Sequence, residues 1–231
     1  MNYQGKSKSL QEDKNKDLLQ MTFTDHITAG NGEKADSLLG KGAVTAAISH
    51  LLYKYLAKHG IETHMVAELD AVTVLVKKAE IIPIEIIVRN IAAGSFSKKY
   101  GVAEGTELIH PSVEFSVKSD ALGDPMINKS QITAIGLAKE EDLDRMIALS
   151  LEINQLLSAA FAQAGISLID YKLEFGLVES NVILCDEISP DSCRLWDIET
   201  KEKLDKDRFR RDLGGVVEAY DTVLKRLQAV L

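Results

Sequence analysis

The sequence predicts a mixed fold of antiparallel strand pairs with helices packed against them. Three observations carry that expectation. The stretch from Ser167 to Gly176 alternates without a break, with Ile169, Tyr171, Leu173 and Phe175 on one face and Asp170, Lys172 and Glu174 on the other. A second extended run, Val182 to Ile188, follows after a short polar break, as in an antiparallel hairpin. Two further stretches carry apolar residues at helical spacing, one from Val44 to Leu56 and one spanning residues 139–164.

At the N-terminus, residues 3–10 and 18–24 are predicted as two strands around a charged turn, Gln11 to Asp17. Lys6 and Lys8 alternate with Gly5 and Ser7, which puts both ammonium groups on one face. A glycine beside two lysines lets backbone and charge approach a phosphate. Exposed terminal lysines are the plainer reading of that pattern. Residues 30–42 hold four glycines and mixed charge and read as a mobile loop.

Val44, Ile48, Leu51, Leu52, Tyr55 and Leu56 define an amphipathic helix that Gly60 ends. His59 is placed to face the negative helix end. Strands follow at Ala71–Val76 and Ile81–Val88. The link at Ala79-Glu80 is the expected hinge between an N-terminal lobe (1–78) and a C-terminal lobe (79–231). Pro83 puts its strand start at an edge or at a point without a ladder partner.

Arg89 at that strand's end, then small residues and Ser95, fits a cradle for a phosphomonoester, or a structural arginine on a carboxylate. Residues 112–117 form a further strand, and Lys118 to Pro125 a loop. In the helix over 139–164, acids fill the first turn, while Leu143, Met146, Ile147, Ser150, Asn154, Leu157 and Phe161 trace the buried face. Asp205 can N-cap a segment through Arg211, Gly214-Gly215 breaks it, and a last helix runs to about Gln228.

In the central hairpin, a loop of Glu179, Ser180 and Asn181 pairs Val178 with Val182 and sets Glu174 opposite Asp186. Like charges across a ladder are destabilising, so a cation between them would make sense of the arrangement. On pattern alone, a solvated polar face is the plainer reading.

Composition narrows the function. The chain has 231 residues, 45% of them hydrophobic, enough for a sizeable core. Its net charge is −8, which argues against nucleic acid as a partner. Two cysteines, Cys185 and Cys193, match neither a disulfide scaffold nor a zinc spacing and read as reduced thiols. No signal-peptide core or membrane-length apolar run stands out, so a soluble cytoplasmic protein is expected.

Several motifs occur together. They are Gly5-Lys6-Ser7-Lys8, Pro83 to Asn90 with Gly94-Ser95, Asp170 to Gly176, Asp186-Glu187-Ile188-Ser189-Pro190-Asp191, Arg194-Leu195-Trp196, and Asp205 to Arg210 with Gly214-Gly215. In this order and spacing the chain resembles the phosphoribosylaminoimidazole-succinocarboxamide synthase (SAICAR synthetase) family over essentially its whole length.

The resemblance implies an α+β fold whose N-terminal antiparallel sheet lobe holds ATP, as in kinases, beside a larger C-terminal lobe. It implies an ATP-dependent ligase that joins carboxyaminoimidazole ribonucleotide to L-aspartate with Mg²⁺, by way of an acyl phosphate. By the same resemblance, Lys6 and Lys8 reach the ATP phosphates, and residues 79–82, Ile81 and Ile82 among them, line the adenine pocket. Glu174 and Asp186 hold Mg²⁺, and Lys172 stands beside the reacting carboxylate. Arg89, Ser95 and Arg194 hold the ribonucleotide phosphate. Asp170 and Asp191 contact or support substrate, and Lys118 with the loop to Asp124 closes over it. A homodimer is expected, with small molecules rather than nucleic acid or membrane as partners.

One departure concerns Asp25-His26, where family members often carry two acids; His26 reads as a solvated loop residue. Two other readings stand beside the ligase. One is a small-molecule kinase of the inositol phosphate type, which shares the Asp-x-Lys pattern of 170–172. The other is a nucleotide-binding regulator without turnover.

Overall fold

A computed structural model describes residues 3–231, the side chains of Tyr3, Gln4 and Asn31 excepted. Met1 and Asn2, which begin the polar N-terminal run, lie outside the described residues. The fold is α+β. Its first sheet takes strands β1 (Tyr3–Gln4), β2 (Lys8–Glu12) and β3 (Leu18–Phe23) from the N-terminus. The strand expected over residues 3–10 is therefore two strands. Gly5 N donates to Lys8 O at 2.8 Å and closes a turn, and Gln4 then pairs with Ser9. Lys8 stays on a strand while Lys6 sits on the turn, so the two lysines do not share a strand face.

Residues 30–42 also hold more order than a loop. β4 (His26–Ala29) and β5 (Lys34–Ser37) form a small sheet of their own, and α1 (Lys41–Lys58) begins directly after. Asp25 Oδ1 accepts from Gly42 N at 2.9 Å near the helix start, and His26 is exposed. At the other end of α1, His59 Nδ1 lies 2.8 Å from the Tyr55 carbonyl, as its place at the helix end suggested. β6 (Met65–Glu68) and β7 (Thr73–Lys77) complete the first sheet in the order β1-β2-β3-β7-β6.

The second sheet begins with β8 (Glu80–Ile91) and continues, after α2 (Gly94–Tyr100), with β9 (Glu107–Val117) and β10 (Met126–Ile127). Two helices follow, α3 (Lys129–Ala134) and the long α4 (Glu140–Gln163). β11 (Ile166–Val178), β12 (Asn181–Cys185) and β13 (Cys193–Asp197) finish the sheet, before α5 (Asp207–Arg210) and α6 (Val216–Gln228). Its order is β10-β9-β8-β11-β12, with β13 also on β11.

Pro83 is thus in an interior strand, at a place where β8 lacks regular pairing. Glu85 faces Glu174 and Ile81 faces Gly176, so the ladder bulges across Pro83. A second bulge lets β9 run back past Pro111 to Glu107, further than alternation alone revealed. The terminal helix ends at Gln228, as read. The segment expected from Asp205 through Arg211 is a four-residue helix with Lys206, not Asp205, at its N-cap; the Asp205 carboxylate still accepts from Asp207 N at 2.7 Å.

The main core joins α1, α4 and α6 to one face of the second sheet. It includes Ile48, Leu52, Leu157, Phe161, Tyr171, Leu173, Phe175, Tyr220 and Val223, all buried. Burying each side chain of this size contributes about 1.5–3 kcal/mol, so these residues outweigh local turn preferences. A smaller cluster of Met21, Phe23, Ala46, Val74 and Val76 lies under the first sheet. Ile169 leaves the expected company of Tyr171 and Leu173. A bulge between Leu168 and Asp170 turns it to a separate cluster with Ala93 and Trp196.

The central hairpin closes with a two-residue loop rather than three. Val178 pairs with Asn181, and Glu174 with Cys185. Glu179 and Ser180 both take left-handed φ, 50° and 68°, the conformation of the tight primed turns. Such turns favour Asn-Gly, so Glu-Ser concealed this one. Ile183 and Leu184 are both fully buried, and that burial fixes the register. Asp186 therefore stands one residue past the end of β12 and not across the ladder from Glu174.

Candidate active site

The site follows from an interruption on one edge of β11. β12 covers residues 174–178 of that edge, and β13 covers 166–171. Between them the loop from Asp186 to Ser192 comes in, and Lys172 N donates to Ser192 O at 2.9 Å. Acidic side chains of the loop thereby reach the polar face of the sheet. On that face Asp170, Lys172 and Glu174 alternate along β11, and the register sets Arg89 beside Asp170 and Glu85 beside Glu174.

At one end, lysines and carboxylates interleave. Lys172 Nζ contacts Glu174 closely, Glu85 at 3.1 Å and Asp186 at 3.4 Å. Lys8 Nζ contacts Asp186 closely and Glu187 at 2.7 Å. Lys118 reaches both Glu174 oxygens, at 2.8 and 2.7 Å. Burial works against the charge on Lys8, but Asp186 and Glu187 outweigh it and hold the ammonium above its usual range. The same balance, with Glu174 and Asp186, raises Lys172 well above an ordinary lysine. Burial would push the Asp186 carboxyl up, yet Lys8 and Lys172 bring it far below the usual carboxylate range. Glu174 and Asp186, opposite neither each other nor in one strand, meet through Lys172.

The other end is built on guanidinium groups. Arg89 donates to Asp170 at 2.8 Å, to Glu114 at 2.9 and 3.0 Å, and to Ser95 Oγ at 3.2 Å. Arg194 donates to both Asp170 oxygens, at 3.1 and 2.9 Å, and to Asp207 at 3.1 Å. Its fork passes directly over Gly94, where a Cβ would come within 2.5 Å of Nη2 and displace the guanidinium; φ there is 54°, which adds strain for any larger residue. A cavity of about 250 Å³ opens here, lined by Arg89, Ser95, Asp170, Lys172, Asp191 and Arg194, with Glu85 and Arg210.

The remaining expected residues are more dispersed. Asp191 borders the cavity, but its carboxylate is held by Lys41 at 2.6 Å and Tyr220 at 2.7 Å. Burial opposes its ionisation, and Lys41 with Lys206 overcomes that and lowers its pKa. Lys6 pairs with Asp120 at 2.8 Å. Asp124 accepts from Ser119 N at 2.9 Å within its own loop. Ile82 is buried in the core while Ile81 is exposed, and both border a second cavity of about 500 Å³ with Leu137 and Leu177.

Sequence reasoning gave no role to Glu85, Glu114, Glu187, Lys41, Asp207 or Arg210. Glu85 and Glu187 lay inside quoted motifs, and strand alternation with Arg89 points Glu85 to the polar face. Lys41 carries no such sign, because its partner is 150 positions away.

An α+β crevice with arginines at one end and lysine-bridged carboxylates at the other has the chemistry that suits the class of enzymes acting on phosphorylated small molecules. Comparisons specify it. The profile of the SAICAR synthetase family matches residues 1–227. The curated phosphoribosylaminoimidazole-succinocarboxamide synthase of Desulfitobacterium hafniense is 51% identical, over 100% of this chain and 97% of that protein. The crystal structure of the same enzyme from Ehrlichia chaffeensis superposes with a TM-score of 0.96 at 44% identity, covering 99% of this chain and 98% of that one. A SAICAR synthetase in complex with ADP gives 0.95 at 40% identity, with 99% and 98% covered.

The chain belongs to the SAICAR synthetase family, the ligases that join carboxyaminoimidazole ribonucleotide to aspartate in purine biosynthesis. Of the readings left open by the sequence, membership selects the ligase over the kinase and the silent regulator. No helix among the described residues is long and apolar enough to cross a membrane.

Proposed function

We propose that the crevice performs this ligation with its two ends in separate roles, the lysine–carboxylate end for ATP and the arginine end for the ribonucleotide. The observation that carries the division is Lys172, whose ammonium touches both Glu174 and Asp186 and also borders the arginine-lined cavity. A carboxylate is a poor acyl donor. It first attacks the γ-phosphorus of ATP through oxygen, and ADP leaves. The aspartate amine then attacks the acyl carbon, the carbon–oxygen bond to phosphate breaks, and the amine gives up a proton. Both steps depend on positioning and on neutralising charge.

Glu174 and Asp186 suit a hard divalent cation: both offer oxygen donors, and one ammonium already contacts the two. Mg²⁺ held by these residues would supply neutralisation of phosphate charge. Lys8 and Lys172 then exchange carboxylate contacts for contacts to phosphate and to the reacting carboxylate. Lys6 and Lys118, from the two sides of the mouth, support the same phosphates and close over substrate with the loop to Asp124. Arg89, Ser95 and Arg194 bind the ribonucleotide phosphate, and Asp170 between the two arginines fixes their forks. Asp191 supports the substrate side from the cavity wall.

The adenine is assigned to residues 79–82, where the chain passes from the first sheet to the second, the division expected between lobes 1–78 and 79–231. The acidic net charge of −8 supports small molecules over nucleic acid as partners; a homodimer in the cytoplasm, with no membrane partner, completes the proposal. Substrate dependence tests the whole. Sustained turnover of ATP to ADP that requires both the ribonucleotide and aspartate is expected; sustained ADP release with phosphorylation of a polyol and no need for aspartate would overturn the reading.

A further inference from the structure

Asp186 has an unusual backbone. It is a non-glycine residue with φ of 63°, immediately after β12. Extended backbone would continue the alternation of the strand and turn residue 186 to the side of Leu184, which is buried in the main core. The left-handed residue breaks that alternation, and the carboxylate meets Lys8 and Lys172 instead. Such a conformation costs on the order of 1–2 kcal/mol and persists where the surroundings enforce it.

Two buried side chains hold the backbone carbonyls next to it, and neither lines the cavity between the arginines. Tyr53 on α1 donates its hydroxyl to the Cys185 carbonyl at 2.6 Å. His64 Nε2 lies 3.1 Å from the Asp186 carbonyl. That oxygen only accepts, so Nε2 carries the proton. The segment bearing His64 is itself tied to β12: Leu184 N donates to Glu62 O at 3.1 Å, and His64 N to Leu184 O at 2.8 Å. Consecutive carbonyls at 185 and 186 are therefore each held by one side-chain donor, in the two peptide groups that flank the left-handed α-carbon of Asp186.

We propose that His64 is a positioning residue for Asp186, its Nε2–H fixing the left-handed peptide that aims the carboxylate at the cation. Tyr53 gives the same support one carbonyl earlier. This inference rests on the assignment of Asp186 to cation binding.

Mn²⁺ binding to the full-length protein with ADP, followed by the electron paramagnetic resonance of the free ion, measures it without turnover. His64→Phe keeps a ring and loses the donor; Mn²⁺ affinity is expected to fall about tenfold, the scale for outer partners of a metal ligand. His64→Gln restores an N–H near the same place and is expected to recover affinity to within about threefold of wild type. Asp186→Asn in the same titration separates the two claims. If Asp186→Asn weakens binding and His64→Phe does not, this inference alone is overturned. If Asp186→Asn has no effect, the cation role of Asp186 fails and the inference falls with it. Equal losses in His64→Phe and His64→Gln also overturn it, because the donor would then be irrelevant. Should His64→Phe not fold, Tyr53→Phe gives the reading at the adjacent carbonyl: weaker Mn²⁺ binding supports the clamp, and unchanged binding refutes it.

Discussion

The two ends of the crevice neutralise charge by opposite means. At the arginine end, Arg89 and the carboxylates it holds are largely buried. The Arg89 side chain is 4% exposed and grips two carboxylates at once. At the lysine end, Lys172 and Lys118 are 29% and 40% exposed and reach their carboxylates on flexible stems. Arginine forks are set by their geometry, while an ammonium is a compact charge that changes partner readily. One end is built to hold one shape of anion. The other holds carboxylates with cations that can be exchanged as ligands arrive.

That contrast predicts different losses. The largest is at the exchanging end. Asp186→Asn removes the carboxylate that Lys8 and Lys172 share, and turnover is expected to fall about a hundredfold or more. The Mg²⁺ concentration for half-maximal rate should rise with it. A variant that keeps wild-type rates at low Mg²⁺ would show that Asp186 holds only lysines. At the arginine end, Arg89→Ala leaves Asp170 and Glu114 short of a partner. A cost of about 3–5 kcal/mol in stability is expected for breaking a buried pair. In the enzyme that still folds, KM for the ribonucleotide should rise roughly tenfold and KM for ATP by less than about threefold. Equal effects on both substrates would erase the distinction between the ends.

A third measurement sharpens the support behind the arginines. Burial, then the charge of Asp207, raises the Asp205 carboxyl to a pKa of about 7. The sign follows from linkage. The folded state holds this proton more tightly than the unfolded chain, so the contribution is fully present below the ordinary carboxylate pKa and is lost as pH rises through about 7. The carbon-13 shift of that carboxyl should therefore titrate near neutrality. A midpoint in the usual carboxylate range would mean that the N–H groups of Leu195 and Asp207, both 2.7 Å away, keep it ionised.

Much of this arrangement was legible in the sequence, for reasons that differ by residue. The alternation of Tyr171, Leu173 and Phe175 against Asp170, Lys172 and Glu174 needs only period two, and the structure keeps it. The long helix over 140–163 and its buried face need only period 3.6. The hairpin register was misread because Glu179-Ser180 is poor chemistry for a tight turn, and the core imposed one regardless. The N-terminal stretch reads as one strand because a single glycine, Gly5, is all that marks the reversal between β1 and β2. Lys41 with Asp191, and His64 with the Asp186 backbone, were invisible. Each joins segments more than a hundred residues apart and leaves no local pattern.

The smallest expected effect tests whether the exchanging character extends to the crevice mouth. Lys6 on the N-terminal turn meets Asp120 at 2.8 Å, with side chains 41% and 67% exposed. Exposed pairs of this kind are screened by solvent, so Asp120→Asn should change stability by less than about 1 kcal/mol. Its KM for ATP should stay within about twofold of wild type. Lys6→Ala removes the ammonium itself, and if phosphate is its partner in the loaded enzyme, KM for ATP rises several-fold. The difference between the two variants is the informative quantity. A larger effect of Lys6→Ala means that Asp120 only holds the lysine until nucleotide arrives, as Asp186 and Glu174 hold theirs. Matching small effects would limit the exchange of partners to Lys8, Lys118 and Lys172, inside the crevice.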